Sequence, residues 1–561
     1  MPMRVKLGLE VLFLQPGTFL RQLWAIIGEL IFSLNRDYLF PQSPGRVNVK
    51  KIVSRTTLWS DQAVLIYLAL AKFLVHMAFN GRYGYFRDEL YFIICGERLA
   101  FGFVDHPPLT PLVARVSRLL FDDSLPGLRI FPALAGAVTV FLAGLIARKL
   151  GGGRFAQTLA AVSVIVSGVL LSFGALLTNN AFDILFWALA GYVLVVILKE
   201  DRPKLWIALG FVVGVALQNK YSILFFVAAL GIGFLISPLR KRLWSIWPLL
   251  GATVALLVFL PNLIWQVRHD LPFIELNRNA VLYKNAVLSP LQFLGGQLME
   301  IHPLDFLILL AGLFYLLLSP ALKSFRVFGW AYLALFAFFL FSGGKTYYLS
   351  PIYPVMLAAG AVALERVGLI TRWRWLKPAP ILLLLTTGAV VAPFALPVLP
   401  VEKYIAYSRF LGVGPAAPER QEMGALPQHF ADQFGWEGMA AAVVRVYRDL
   451  PEADRKECGI FTQNYGEASA INFFGRRYGL PPAVCVHNNY WLWGPGEMSG
   501  AVLIVVGGKE EDYRWVYGEV TEVARIEAKH AMPYESNLPV FVCRGLKVPI
   551  REVWSRNKQY I

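Results

Sequence analysis

Residues 177–221, LTNNAFDILFWALAGYVLVVILKEDRPKLWIALGFVVGVALQNKY, decide the class of fold. Two apolar runs, 181–198 and 204–219, flank a charged turn that holds Lys199, Arg202 and Lys204. Each run approaches the roughly 20 apolar residues a helix needs to cross bilayer hydrocarbon. The far ends of the pair carry only one cation, Lys220. A basic turn on one side and a nearly cation-free side opposite is the signature of a membrane hairpin whose turn is cytoplasmic.

The same pattern extends in both directions. Eleven apolar runs occur, at 62–79, 128–149, 155–177, 181–198, 204–219, 221–237, 243–264, 304–319, 325–342, 351–364 and 378–399. Alternate links hold Arg148, Lys149 and Arg154, then Arg240–Arg242, Lys323 and Arg326, and Arg366, Arg372, Arg374 and Lys377. With the basic stretch Arg46–Arg55 these are expected to be cytoplasmic; an odd number of spans then puts the C-terminal part on the other side. Composition agrees: of 561 residues 57% are hydrophobic and 16% charged, where soluble domains carry about a quarter charged. The net charge of +16 is no nucleic-acid footprint, because residues 400–561 hold 18 Lys+Arg against 19 Asp+Glu. The excess lies among the spans, where it sets topology.

The domain organisation read from these runs has three parts. Residues 1–60 form an N-terminal cytoplasmic or interfacial segment, in which Phe19–Phe40, broken by Arg21, Glu29 and Arg36, suits a helix lying in the interface. No cleavage site follows it. Residues 61–400 form a transmembrane domain with two long outer loops, 80–127 and 265–303. Residues 401–561 form an extracytoplasmic α/β domain, where the short apolar runs CGIFTQN, AVLIVVGG and LPVFVCRGL alternate with helical patterns. Its Cys458, Cys485 and Cys543 allow one disulfide and leave one cysteine over.

Several polar residues stand where membrane neighbours make them expensive. Asp88 and Glu89 open an apolar helix that reads as lying against the membrane, and a carboxylate there needs a polar cavity. Asp105 and His106 follow in the same loop; with Glu89 they offer an oxygen and nitrogen donor set for a divalent ion, the one cofactor the residues suggest. Asn180 and Asp183 start a span, a position equally suited to a cap. Lys220 with Tyr221, and Lys345 with Tyr347 and Tyr348, place cations and hydroxyl donors on the cation-poor face. Snorkelling anchors explain such lysines, and a phosphate held at the membrane surface explains them better, with Arg268 a further candidate ligand. No Walker loop and no strand-led dinucleotide glycine motif occurs. An outward-facing enzyme without soluble nucleotides must draw its activated substrate from the membrane.

Taken in order, Asp88-Glu89, DHPPL (105–109), LTNNAFDILFW (177–187), Gln218-Asn219-Lys220-Tyr221, LPNLIWQVRHDLPF (260–273) and GGKTYYLSPIYP (343–354) resemble the bacterial protein-O-mannosyltransferase and aminoarabinose-transferase-like glycosyltransferases. YGEASAINFFG (465–475) and HNNYWLWGPGE (487–497) look like the outer domain found in many of them. The resemblance covers about residues 60–400 and implies a GT-C integral membrane enzyme using polyprenyl-phosphate sugars. It implies that Asp88 is the general base, with Glu89 its neighbour, and that Lys345 and Tyr347 touch the lipid phosphate. His106 takes the place of a lysine in the acid-Lys-Pro-Pro motif, and Asn180 stands where relatives usually carry Asp.

The expectation is therefore a polytopic α-helical membrane protein of GT-C type with a C-terminal α/β domain. It would transfer one sugar from undecaprenyl phosphate to an acceptor hydroxyl at the outer face of the cytoplasmic membrane. Acceptors on that face include lipid A or lipopolysaccharide, a glycan, or a secreted protein; nucleic acid is no partner. The rival reading is a flippase for a lipid-linked intermediate, which predicts repeated halves and mid-membrane charges, neither of which the sequence displays.

Overall fold

The computed structural model describes residues 59–286, 288–366, 374–415 and 419–561. Phe19–Phe40, Arg46–Arg55 and Arg372 lie outside the described residues. Among the described residues, seven helices are long and apolar enough to cross a membrane: Asp61–Phe79, Leu125–Lys149, Asn179–Glu200, Ile246–Arg268, Pro320–Ser342, Thr346–Arg366 and Pro378–Ala395. Three bent pairs raise the number to ten if each is one span, and Leu205–Leu217 is apolar but shorter. Each of the eleven apolar runs coincides with one of these elements. The chain is a polytopic helical membrane protein.

The bends follow from the sequence. Ser237 and His302 each precede a proline, a position from which the α conformation is sterically barred. Helices therefore stop at Ile236 and Ile301 and restart at Pro238 and Pro303, turning by 119° and 105°. The third break, 65° between Val166 and Gly168, frees carbonyls that lipid cannot satisfy. Lys72, fully buried on the first helix, donates to the carbonyls of Val164 and Leu170 at 3.3 Å, closing that gap. Neighbouring spans meet backbone to backbone through small residues. A Cβ on Gly210 would strike the Gly251 carbonyl, and one on Gly360 the Ile308 carbonyl, so both contacts require glycine.

Beyond the spans a five-stranded sheet forms from β1 (Cys458–Phe461), β2 (Ala483–Val484), β3 (Val502–Val506), β4 (Tyr517–Ile526) and β5 (Leu538–Leu546), in the order β2-β1-β3-β5-β4. β1 runs parallel to β2 and β3; β5 pairs antiparallel with β3 and β4. All four cysteines are buried and unpaired, so the disulfide that the cysteine count allows is absent.

The helix Arg87–Glu97 corrects one expectation. Its apolar residues Leu90, Tyr91, Phe92 and Ile94 do not face lipid but share one core with Trp436, Val443, Ala468, Tyr490 and Ile504 of the C-terminal part. A helix that is apolar on every side needs burial on every side, and here protein supplies it. Residues Asp61–Ile561 accordingly form one compact unit.

Candidate active site

Asp88 and Glu89 occupy the first turn of Arg87–Glu97, where carboxylates meet the positive end of the helix. Successive helical side chains diverge by about 100°, so the two acids face different surroundings. Glu89 turns inward and is fully buried. It accepts from Arg129 Nε and Nη2, each at 2.8 Å, from the Leu177 N–H at 2.8 Å and from the Phe86 N–H at 2.9 Å. Arg129, equally buried, also donates to the carbonyls of Asn80 and Gly84. With every acceptor direction taken, Glu89 is a positioning residue that locks the outer loop to two span ends.

Asp88 turns outward, with its side chain one-third exposed. Its Oδ1 accepts from the Tyr465 hydroxyl at 2.9 Å and lies 3.6 Å from Arg87 Nε. Burial pushes the Tyr465 phenol well above its usual range, so it stays a proton donor to the carboxylate. Arg87 is pinned by Tyr534 at 2.8 Å and sits 3.7 Å from the buried Asp432, whose carboxyl burial raises to about 6 against the pull of Arg87. Tyr465, Tyr534 and Asp432 all come from the C-terminal part.

A group of lysines forms around Glu419 and the turn Thr346–Ile352. Lys345 Nζ is 2.9 Å from Glu419 Oε1, and Lys284 Nζ is 3.9 Å from the same atom. Burial disfavours the Glu419 anion, but Lys284, Lys345 and Arg87 outweigh it and hold the carboxyl at about 2. Lys220 donates to Asn180 Oδ1 at 2.6 Å, lies 3.7 Å from Asp183, and sits 5.9 Å from the ring centres of both Tyr347 and Tyr348. Asp183 also accepts from the Ser222 hydroxyl at 2.6 Å. The turn Thr346–Ile352 is fastened from the side by Gln297, which donates to the Thr346 carbonyl at 2.6 Å, and by the Thr346–Glu300 contact. Lys220, Asn180, Asp183, Tyr347 and Tyr348 thus lie together, with Lys345 at the start of the same turn as the two tyrosines.

Three candidates do not join them. The Tyr221 hydroxyl donates to Asn262 at 2.7 Å and accepts from Gln266 at 3.2 Å, which makes it a link between spans. Arg268 ends Ile246–Arg268 exposed, with no side-chain bond among the described residues. His106 is 3% exposed and packed against Tyr91, Phe92 and Phe103, with Nδ1 3.0 Å from the Pro107 carbonyl. The metal set is corrected for the same reasons. Glu89 is taken up by Arg129, and Asp105 accepts from Tyr91 and Asn488. Among the described residues no three His, Cys, Asp or Glu side chains are placed to hold a metal ion. Among the described residues, Glu89, Asp105 and His106 do not fit a divalent ion.

Sequence reasoning missed Arg129, Lys284, Glu419 and Tyr465. Arg129 had a signal, an arginine at the cation-poor end of a span. Lys284 and Glu419 had none, since 134 residues separate them in the chain and only the fold brings them together.

This arrangement of intact and broken spans with a C-terminal sheet is a fold of GT-C type. A family model for dolichyl-phosphate-mannose-protein mannosyltransferase matches residues 105–265. The chain is 24% identical over 208 residues to the lipid A galacturonosyltransferase RgtD of Rhizobium johnstonii, and 28% identical over 167 residues to the polyprenol-phosphate-mannose–protein mannosyltransferase of Corynebacterium glutamicum. These alignments take in 37% and 25% of this chain and 44% and 32% of the relatives, so the chain spans less than half the length of each. In structure it resembles ArnT from Cupriavidus metallidurans bound to undecaprenyl phosphate, with a TM-score of 0.57 and 15% identity, over 87% of this chain and 98% of that one. That likeness establishes the fold.

Proposed function

We propose that this protein is an inverting glycosyltransferase that moves one sugar from a polyprenyl phosphate, undecaprenyl phosphate in bacteria, to an acceptor hydroxyl. The reaction takes place at the outer face of the cytoplasmic membrane, with residues 401–561 on that side and residues 61–400 as the transferase domain. The observation that carries the reading is a partly exposed carboxylate, Asp88, held by Tyr465, together with a group of half-buried lysines and tyrosines around Lys345 and Lys220. Names borne by the relatives, a lipid A transferase and a polyprenol-phosphate-mannose transferase, support the same chemistry.

In this mechanism the acceptor hydroxyl attacks the anomeric carbon from the face opposite the phosphate, and Asp88 takes its proton. The bond from that carbon to the phosphate oxygen breaks, and its electrons leave with the polyprenyl phosphate. Lys345 and Lys220 meet the charge that builds there, with Tyr347 and Tyr348 beside them, in surroundings dry enough to strengthen each contact. Arg87 and Tyr465 hold Asp88 in place. The acceptor is a cell-envelope molecule presented at the outer surface, lipid A and protein being the two kinds that the relatives' names carry. The test is to incubate purified protein with several polyprenyl-phosphate sugars and measure free polyprenyl phosphate. Lipid translocation without release of phosphate from any donor would replace the transferase with a flippase.

A further inference from the structure

Lys345, the lysine best placed for the donor phosphate, already holds an anion. Glu419 Oε1 lies 2.9 Å from Lys345 Nζ and 3.9 Å from Lys284 Nζ, and the Glu419 side chain is only 12% exposed. Its position is clamped. Glu419 bridges Asn285 in antiparallel fashion, the Arg420 N–H donates to the Lys284 carbonyl at 3.0 Å, and the Arg420 guanidinium donates to the carbonyls of Leu282 and Asn285. Two half-buried lysines repel one another, and an anion between them is what makes the pair tolerable. A carboxylate there carries one negative charge, the same as a phosphodiester.

Resting on the reading of Lys345 as a ligand of the donor phosphate, we infer that Glu419 is a built-in competitor for that phosphate. The donor diester displaces it from Lys345 and Lys284, and its return drives the phosphate product out. Lys284 thereby becomes a phosphate ligand supplied by the loop 265–303. Entry conserves charge, because one monoanion replaces another. Transfer does not: the departing electron pair leaves a phosphate monoester, which carries about −1.5 to −2 charges at neutral pH. Two lysines would hold that product more tightly than the substrate, and the site would fill with its own product. The bridge to Asn285 keeps the Glu419 carboxylate within reach of both lysines, so it can reclaim them. Glu419 touches no reacting atom; it is a positioning residue whose effect falls on binding and release.

The experiment measures binding of undecaprenyl phosphate to the full-length protein in nanodiscs, together with pre-steady-state turnover. Glu419→Gln should bind the lipid phosphate roughly tenfold more tightly, the lower end of what close charge pairs contribute. It should also show a first-turnover burst followed by slow steady-state release. Unchanged or weaker binding, with a wild-type thermal midpoint, overturns the proposal. If Glu419→Gln does not fold, Lys284→Ala carries the comparison: affinity for the lipid phosphate should fall severalfold, and an unchanged affinity overturns the proposal. Lys345→Ala separates the two levels of the argument. Binding unaffected by Lys345→Ala refutes the donor site itself, whereas weaker binding there without tighter binding in Glu419→Gln refutes only the competitor.

Discussion

Removing one oxygen's charge from Glu89 should unfold this protein before it touches the chemistry. The Glu89 carboxylate accepts four hydrogen bonds between 2.8 and 2.9 Å, two of them from the buried Arg129 guanidinium. In Glu89→Gln the single carbonyl oxygen can keep only part of this set, and the new NH2 group confronts donors. Arg129, 1% exposed, is left without a counter-ion. Breaking one side of a buried ion pair costs about 3–5 kcal/mol, because the remaining charge stays desolvated. That is a large share of the 5–15 kcal/mol that holds a typical fold together. The assay is the apparent thermal midpoint in detergent at a fixed scan rate, paired with turnover per folded molecule. A large fall in midpoint with near-normal turnover of the surviving fraction is the expected result. Wild-type stability combined with abolished turnover would refute the reasoning and make Glu89 the base.

Asp88→Asn should do the reverse, retaining stability while turnover drops on the order of a hundredfold or more, since only the proton acceptor is lost; near-normal rates would remove Asp88 from the chemistry. The depressed Glu419 carboxyl fixes a pH dependence. Its stabilisation is fully present above the ordinary value of 4.5 and is lost as pH falls through about 2. Thermal midpoints of Glu419→Gln should therefore fall less than those of the wild type across that window, and parallel curves would contradict the assignment. Phosphatase fusions after residue 400 should be active and fusions at Arg242 inactive; the opposite pattern would reverse the active face.

Periodicity and hydropathy made the membrane part legible because lipid imposes rules on every span. Each apolar run found its helix, whereas the three bends were not anticipated, although Pro238 and Pro303 stand at two of them. The converging group around Lys220, Lys345 and Tyr347 was legible for a related reason: a cation on the cation-poor face breaks a statistical rule and so stands out. What could not be read was direction. Asp88 and Glu89 are neighbours in the chain but point about 100° apart on one helix, and Arg129 with the Leu177 and Phe86 N–H groups decides which is buried. Arg268, one residue from Val267 on an exposed helix end, looked as available as Lys284, whose partner Glu419 comes from the far part of the chain. His106 read as a ligand because Asp105 precedes it, whereas in space it is packed among Tyr91, Phe92 and Phe103, with Asp105 3.6 Å away and itself bonded to Tyr91 and Asn488.

The core shared by Arg87–Glu97 and the sheet also sets an order of assembly. The helix is synthesised some 360 residues before β1, the first strand of the sheet that covers it. At about 5–20 residues per second, that interval lasts roughly 20–70 s. Throughout it Leu90, Phe92 and Ile94 have only the early part of their core, Phe103, Ala114, Leu128, Leu177 and Phe182, to pack against, and the Asp88 carboxylate lacks the Tyr465 hydroxyl. The helix is therefore only partly covered until the C-terminal part is made. The acid and its holder come together only when the last strands close, so the protein becomes competent late in its own synthesis, and a chain cut short before β5 would leave an inert membrane bundle.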